Sequence, residues 1–231
     1  MNEGGYQVIK MGEGFWRIVD GMIINYLVEG GERSALIDAG ISGGDLLGAA
    51  RSVTDKPVSL ICTHADHDHV ASAPQFAEVY LHPAEFERFS QQNISPIPPV
   101  RPLWDNDDFE LGGRALTIIH IPGHTPGSVA LLDKKARFLI SGDSVSDHGV
   151  WMFGSGRCFA AYQCSIERLI KMSDRFDVIH SAHGSPSIPI DLLQETLEAS
   201  RLLLAGKLEG TQRSENETQK FYKSGRTGFM Y

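Results

Sequence analysis

Apolar and polar residues alternate in short runs over the first 40 positions: YQVIKM, FWRIVDG, MIINYLVEG and SALIDAG, broken by Gly and Asp. Alternation at this close spacing predicts strands of an antiparallel meander. GGDLLGAARSV changes to a helical period through Leu46, Leu47, Ala50 and Val53. VSLIC is apolar throughout, as expected of a strand covered on both faces, and it ends abruptly in a charged cluster. A short helix over Pro74–Ala77, a strand EVYLH and a helix PAEFERFSQQN are expected next. Between residues 93 and 108, Pro96, Pro98, Pro99 and Pro102 remove any regular period, which predicts an ordered surface loop ending in WDNDDF.

ALTIIHIPG, SVALLDKK and ARFLISGD again read as strands, followed by a Gly-rich loop and a helix over Gln163–Ser173. A strand in DVIHSAHG precedes a final amphipathic helix from Pro189 to Leu208. The last 20 residues are polar with aromatic interruptions at Phe221, Tyr222, Phe229 and Tyr231. The order divides into two similar halves, each a small sheet covered by helices. This predicts an α/β fold of four layers, with sheets packed on each other and helices outside.

Composition narrows the classes. The chain has 231 residues, 42% of them hydrophobic, which excludes disorder and leaves a core burying roughly 70% of the unfolded surface. No apolar run approaches the roughly 20 residues that cross a bilayer, so no membrane association is expected. MNEGGYQVIK has neither a basic stretch nor an apolar one, so the expected compartment is the cytoplasm. Cys62, Cys158 and Cys164 cannot all pair and form no C-x-x-C unit, which fits reduced thiols. Cys62 and Cys164 lie in apolar stretches and read as small buried residues; Cys158 sits in a glycine-rich loop. The formal charge of −8 opposes a nucleic-acid partner. A small-molecule substrate is expected instead, with a homodimer as the candidate assembly.

The candidate chemistry is concentrated in Thr63-His64-Ala65-Asp66-His67-Asp68-His69, directly after the apolar strand. Three histidines and two aspartates crowded at a strand end desolvate and repel one another unless a cation compensates. Imidazole and carboxylate are good ligands for zinc, iron and manganese. Three further candidates, His124, Asp143 and His183, stand at strand ends beside Gly123, Gly142 and Gly184. Taken singly, each also reads as an ordinary turn residue.

Together these motifs resemble the metallo-β-lactamase superfamily, and within it the glyoxalase II-type thioester hydrolases. The resemblance rests on His64–His69 set against the superfamily's H-x-H-x-D-H signature, the distant His124, Asp143 and His183, and the echoes NYLVEG, SALIDAG, IPGHTPGSVALL and FGSGRCFAAYQCSIERLIKM. It covers roughly residues 20 to 186 and implies an αββα sandwich. Residues 1–188 then form the catalytic domain, with a C-terminal helix and aromatic tail over 189–231 packed on it. The resemblance also implies two divalent ions: one at His64, Asp66 and His124, the other at Asp68, His69 and His183, with Asp143 bridging. Asp66 departs from the family's usual His and resembles the H-x-E-x-D-H form of di-iron flavodiiron proteins. Zinc is the first expectation, with iron or manganese brought in by this extra carboxylate. Counting Asp66, Asp68 and Asp143 against two dications leaves a net +1, lower than a histidine-bearing version would have. A weaker Lewis acid is therefore expected.

The implied reaction is hydrolysis of a small ester, thioester or lactone by a hydroxide shared between the two metals, with one metal stabilising the oxyanion. Asp68 and Asp143 are the expected catalytic carboxylates, with Asp68 orienting the nucleophile and passing its proton to the leaving group. Asp38 either holds a ligand histidine or forms a turn, and His67 is either exposed or behind the ligands. Arg157 reads as a binder of a substrate carboxylate or as a surface ion pair. His148, Tyr162, Trp151 and the loop bearing Trp104 are candidates to line the cleft, or to fill the core. A di-iron redox protein, a phosphodiesterase and a nonhydrolytic metal-binding module are the alternative classes.

Overall fold

The computed structural model describes residues 5–212 and 218–231. Its first half holds β1 (Gln7–Gly12), β2 (Phe15–Asp20), β3 (Ile23–Glu29), β4 (Ser34–Ile37), α1 (Leu46–Arg51), β5 (Val58–Ile61), α2 (His67–Val70), β6 (Val79–Leu81), α3 (Phe86–Ser90) and β7 (Val100–Pro102). The second half holds β8 (Asp108–Glu110), β9 (Ala115–His120), β10 (Val129–Asp133), β11 (Phe138–Gly142), β12 (Val150–Trp151), α4 (Phe159–Lys171), β13 (Val178–Ser181), β14 (Ile188–Pro189), α5 (Leu192–Leu204), β15 (Phe221–Ser224) and β16 (Thr227–Met230).

The first sheet runs β1 to β7 in sequence order. It is the expected antiparallel meander through β4 and becomes parallel from β4 to β7. The second sheet has the order β14-β13-β11-β10-β9-β8. Alternation along each strand separates the layers. Tyr26, Ile37, Ile61, Ile118, Leu131 and Ile140 meet between the sheets. Leu27, Leu36 and Leu60 face α1 and Phe89, while Ile119, Leu132 and Leu139 face α4 and α5. The result is the four-layer αββα sandwich.

Several boundaries differ from expectation. The helix placed at Gln163–Ser173 begins at Phe159, because Phe159, Tyr162, Ile166 and Leu169 form one buried stripe at helical spacing. The last helix starts at Leu192 because Ile188 and Pro189 pair with β13, and it ends where Gly206 takes a positive φ of 66°. The proline-rich segment contributes β7, paired in parallel with β6, despite its lack of periodicity. Pro74–Ala77 is a single 3₁₀ turn, Ala73–Gln75. The aromatic tail folds as the hairpin β15–β16, which makes a third sheet with β12. Cys164 is exposed on α4 rather than buried, Cys158 is exposed too, and all three cysteines are free. Among the described residues, no helix is long and apolar enough to cross a membrane.

Candidate metal centre

The two sheets bring their loops together along one rim of the sandwich. β5 ends at Ile61, and the chain continues through His64 and Asp66 into the short helix α2, which carries His67, Asp68 and His69. The turn between β9 and β10 carries His124, the end of β11 delivers Asp143, and the end of β13 delivers His183. Two glycines make these approaches possible. A Cβ on Gly123 would collide with the Tyr162 backbone, and one on Gly142, at φ 53°, would meet the Thr63 side chain.

Seven side chains converge there in two groups: His64, Asp66 and His124, and Asp68, His69, Asp143 and His183. In the first, the Nε2 atoms of His64 and His124 face each other at 3.1 Å, and lie 3.5 and 3.4 Å from Asp66 Oδ2. In the second, Asp143 lies 3.1 Å from His69 Nε2 and 3.4 Å from His183 Nε2, and Asp68 lies 3.2 Å from His183 Nε2. Asp143 Oδ2 also reaches within 3.6 Å of His124 Nε2, so one carboxylate is common to both groups.

The second nitrogens of three histidines explain this orientation. His124 Nδ1 sits 2.8 Å from the Trp151 carbonyl, which can only accept, so Nδ1 carries the proton and Nε2 presents its lone pair. Asp38 accepts from Thr63 Oγ1, which leaves the Thr63 oxygen to accept from His64 Nδ1 at 3.1 Å. Asp38 Oδ2 lies 2.9 Å from His69 Nδ1. Asp38 therefore orients ligand candidates as well as turning the chain at φ 67°.

This donor set fits divalent cations. His69 Nε2 and Asp143 Oδ1 are buried, face one another and make no hydrogen bond. Nitrogen lone pairs and carboxylates aimed at a common centre, with buried atoms left unsatisfied, are what a cation completes. Electrostatics in the cation-free protein agree. Burial opposes ionisation of Asp66 and Asp143, yet their histidine neighbours hold both carboxyls far below the usual range. Burial also opposes protonation of His183, but Asp143 and Asp68 push it up to about 10.

Sequence reasoning missed two residues here. Glu85 is fully buried and accepts from Ala65 N at 3.0 Å and Gly127 N at 2.7 Å, tying the 64–69 segment to the turn that carries His124. Arg88 lies 3.0 Å from Asp66 Oδ1. The available signal was spacing: Glu85 precedes the buried Phe89 by four residues and Arg88 by three, so all share one face of the turn.

A family model described as the metallo-beta-lactamase superfamily matches residues 20–203. The chain belongs to this superfamily. Among its superfamily relatives, acyl-coenzyme A thioesterase MBLAC2 of Gallus gallus is 30% identical over 188 residues, covering 65% of this chain and 67% of that one. The Homo sapiens protein of the same name is also 30% identical, over 189 residues, covering 65% and 68%. Hydroxyacylglutathione hydrolase GloC of Haemophilus influenzae is 25% identical over 175 residues, covering 67% and 81%. In structure, a metallo-beta-lactamase from Pontibacter korlensis superposes with TM-score 0.70 at 21% identity over 85% of this chain and 99% of that one. At that identity the likeness concerns the superfamily fold.

The superfamily's rim opens here into a cleft of about 770 Å³ lined by Asp66, Asp68, His124, Asp143 and His183. His148, Trp151 and Arg157 also line it. Tyr162 does not: it is fully buried and donates to the Ser144 carbonyl at 2.7 Å, so its expected substrate contact is replaced by a packing role beneath Gly123. Trp104 stands outside the cleft lining, beside His82. Of the two readings of Arg157, a substrate-carboxylate binder or a surface ion pair, the structure shows an ion pair, but an enclosed one. Its side chain is only 8% exposed, its Nη2 pairs with Asp66, and its Nε and Nη1 are enclosed. His67 is exposed on the outer side of α2.

Proposed function

We propose that this protein is a metal-dependent hydrolase of acyl thioesters, with zinc as the first candidate ion. The reading is carried by one observation: four histidines present Nε2, and three aspartates present carboxylate oxygen, in two adjacent groups, five of whose seven members line an open cleft. It is supported by relatives whose names specify an acyl-coenzyme A thioesterase and a hydroxyacylglutathione hydrolase, since the thioester is the bond those two substrates share.

The reaction adds water across the acyl C–S bond: the acyl carbon gains the water oxygen and the departing sulfur takes a proton. Divalent ions held by the two groups would supply Lewis acidity toward water and the thioester carbonyl. The chain's own residues do the rest. Asp68 has 26% of its side chain exposed, against 18% for Asp66 and 12% for Asp143, so it is the carboxylate most open to the cleft. There it takes the proton of the attacking water and returns it to the sulfur. Asp143 touches histidines of both groups and keeps them in register. Val19, Ile24, Trp151 and Met230 give the cleft an apolar wall suited to an acyl chain.

The test is thiol release from acyl-coenzyme A, hydroxyacylglutathione and neutral N-acetylcysteamine thioesters by zinc-, iron- and manganese-loaded protein. At least one thioester is expected to turn over, with Asp68→Asn lowering kcat by about 10²–10⁴-fold when assayed at ion concentrations that saturate the variant. No thiol release in any combination refutes the proposal.

A further inference from the structure

β2 carries a break in its own pattern. Its inward positions are Phe15, Arg17 and Val19, paired across to Val28, Tyr26 and Ile24 of β3. Five of these six are aromatic or aliphatic, and Phe15, Ile24, Tyr26 and Val28 belong to the core between the sheets. Arg17 is the exception. Its backbone lies opposite Tyr26, whose hydroxyl crosses to the other sheet and donates to the Ser181 carbonyl at 2.7 Å. The arginine follows the core outward to the rim, where it lines the cleft together with Pro186, Gly184 and His183.

Arg17 is half-buried and its Nε is enclosed without a hydrogen-bond partner. Among the described residues, no carboxylate forms an ion pair with it and no acceptor takes a hydrogen bond from it. The other arginine of the cleft, Arg157, is turned onto Asp66. An unpaired guanidinium on an apolar strand face is unfavourable in the free protein, because partial burial removes water without supplying an anion. A planar fork of donors is also the group best matched to carboxylate or phosphate oxygens.

We infer that Arg17 is the anion subsite of the cleft, binding a phosphate or carboxylate on the thiol-bearing half of the substrate. This rests on the thioester reading for the identity of that half. The subsite is distinct from the cluster that meets the scissile bond, because Arg17 makes no hydrogen bond or ion pair with any of the seven residues there.

Calorimetry on the metal-loaded protein with three free thiols tests it: coenzyme A, whose charge is phosphate; glutathione, whose charge is carboxylate; and N-acetylcysteamine, which is neutral. Sulfur contributes alike to all three, and the change on replacing Arg17, rather than the difference between thiols, reports the anion. Wild-type protein is expected to bind one anionic thiol more tightly than the neutral one. R17Q should lose about tenfold or more of that affinity and leave N-acetylcysteamine unchanged, while R17K keeps part of it. Which thiol responds identifies the anion. R17M is expected to melt at the same temperature as wild type or higher, because it removes an unpaired cation from an apolar face; a merely structural arginine would lower it. The inference is overturned if R17Q binds all three thiols as wild type does, or if wild type binds neither anionic thiol better than the neutral one. Loss of thiol affinity in R17Q from a protein that hydrolyses no thioester would uphold the subsite and refute the hydrolase reading.

Discussion

Replacing Asp38 by Asn isolates the orienting role of one carboxylate. Asp38 is 1% exposed, accepts from Thr63 N at 2.7 Å and Thr63 Oγ1 at 3.0 Å, and lies 2.9 Å from His69 Nδ1. Asn keeps the volume and tolerates the left-handed φ of 67°, so the turn itself is preserved. It offers one acceptor oxygen in place of two, and its NH₂ must oppose either the Thr63 donors or the protonated His69 Nδ1. Losing the negative charge 2.9 Å from His69 Nδ1 costs about 2 kcal/mol, equivalent to about 30-fold in ion affinity if His69 is no longer held in register. Loss of a partner behind a metal-ligating histidine weakens affinity by about 10–100-fold in general, which brackets this figure. Competition with a chromophoric chelator gives the affinity, and thermal unfolding of the cation-free protein checks that D38N is folded. Ion affinity within about threefold of wild type would refute the argument that Asp38 fixes His69.

Three further outcomes follow from the same geometry. Protonated His183 stabilises the cation-free fold fully below its ordinary value of 6.5, and that contribution is lost as pH rises through about 10. Scanning calorimetry should therefore show the cation-free protein losing stability between about pH 7 and 10, a slope absent from the loaded protein, where His183 stays deprotonated throughout. R88M/R157M frees the Asp66 carboxylate from two cations and should tighten the weaker of two ion-binding steps by about tenfold in a stepwise titration; a weaker step would mean that the arginines chiefly position Asp66. Phe229→Ala empties a fully buried site against Phe159 and Tyr162 and should cost about 3–5 kcal/mol in chemical denaturation. It should also lower ion affinity, because β16 pairs with β12, whose Trp151 carbonyl holds His124.

The sandwich was legible because period-2 alternation survives wherever a strand has one covered face, and because VSLIC and FLISG are apolar on both. The cluster at 64–69 was legible for the same electrostatic reason that makes it a centre: like charges are not crowded at the end of a buried strand without compensation. What stayed hidden depends on pairing over long sequence separations. β7 is a strand only because β6 supplies its partner; its prolines mask it. The C-terminal hairpin carries no alternation strong enough to announce itself, and its role is set by β12, some 70 positions earlier. Glu85 and Arg88 read as the polar side of a short helix until the loops they join are brought beside them. Tyr162 was misjudged because an aromatic residue at helical spacing gives the same signal whether it faces a cleft or fills the space under a glycine.

Charge is where sequence and structure diverge most in consequence. Counting aspartates alone gives a centre poorer in positive charge than a histidine-bearing relative, and hence a weaker Lewis acid. Arg88 and Arg157 offset that count, because both contact Asp66, with Arg88 also shared with the buried Glu85 at 3.8 Å. The extra carboxylate is thus largely neutralised from behind before any cation arrives. The two groups are consequently unequal: Asp68 and Asp143 share the four-residue group with two histidines, whereas the three-residue group offers two histidines and a carboxylate already engaged by arginine. The first cation should enter among Asp68, His69, Asp143 and His183, where two carboxylates have no arginine competing for them. The preference for iron or manganese inferred from Asp66 weakens accordingly, since a carboxylate shared with two guanidinium groups is a poorer hard ligand than a free one.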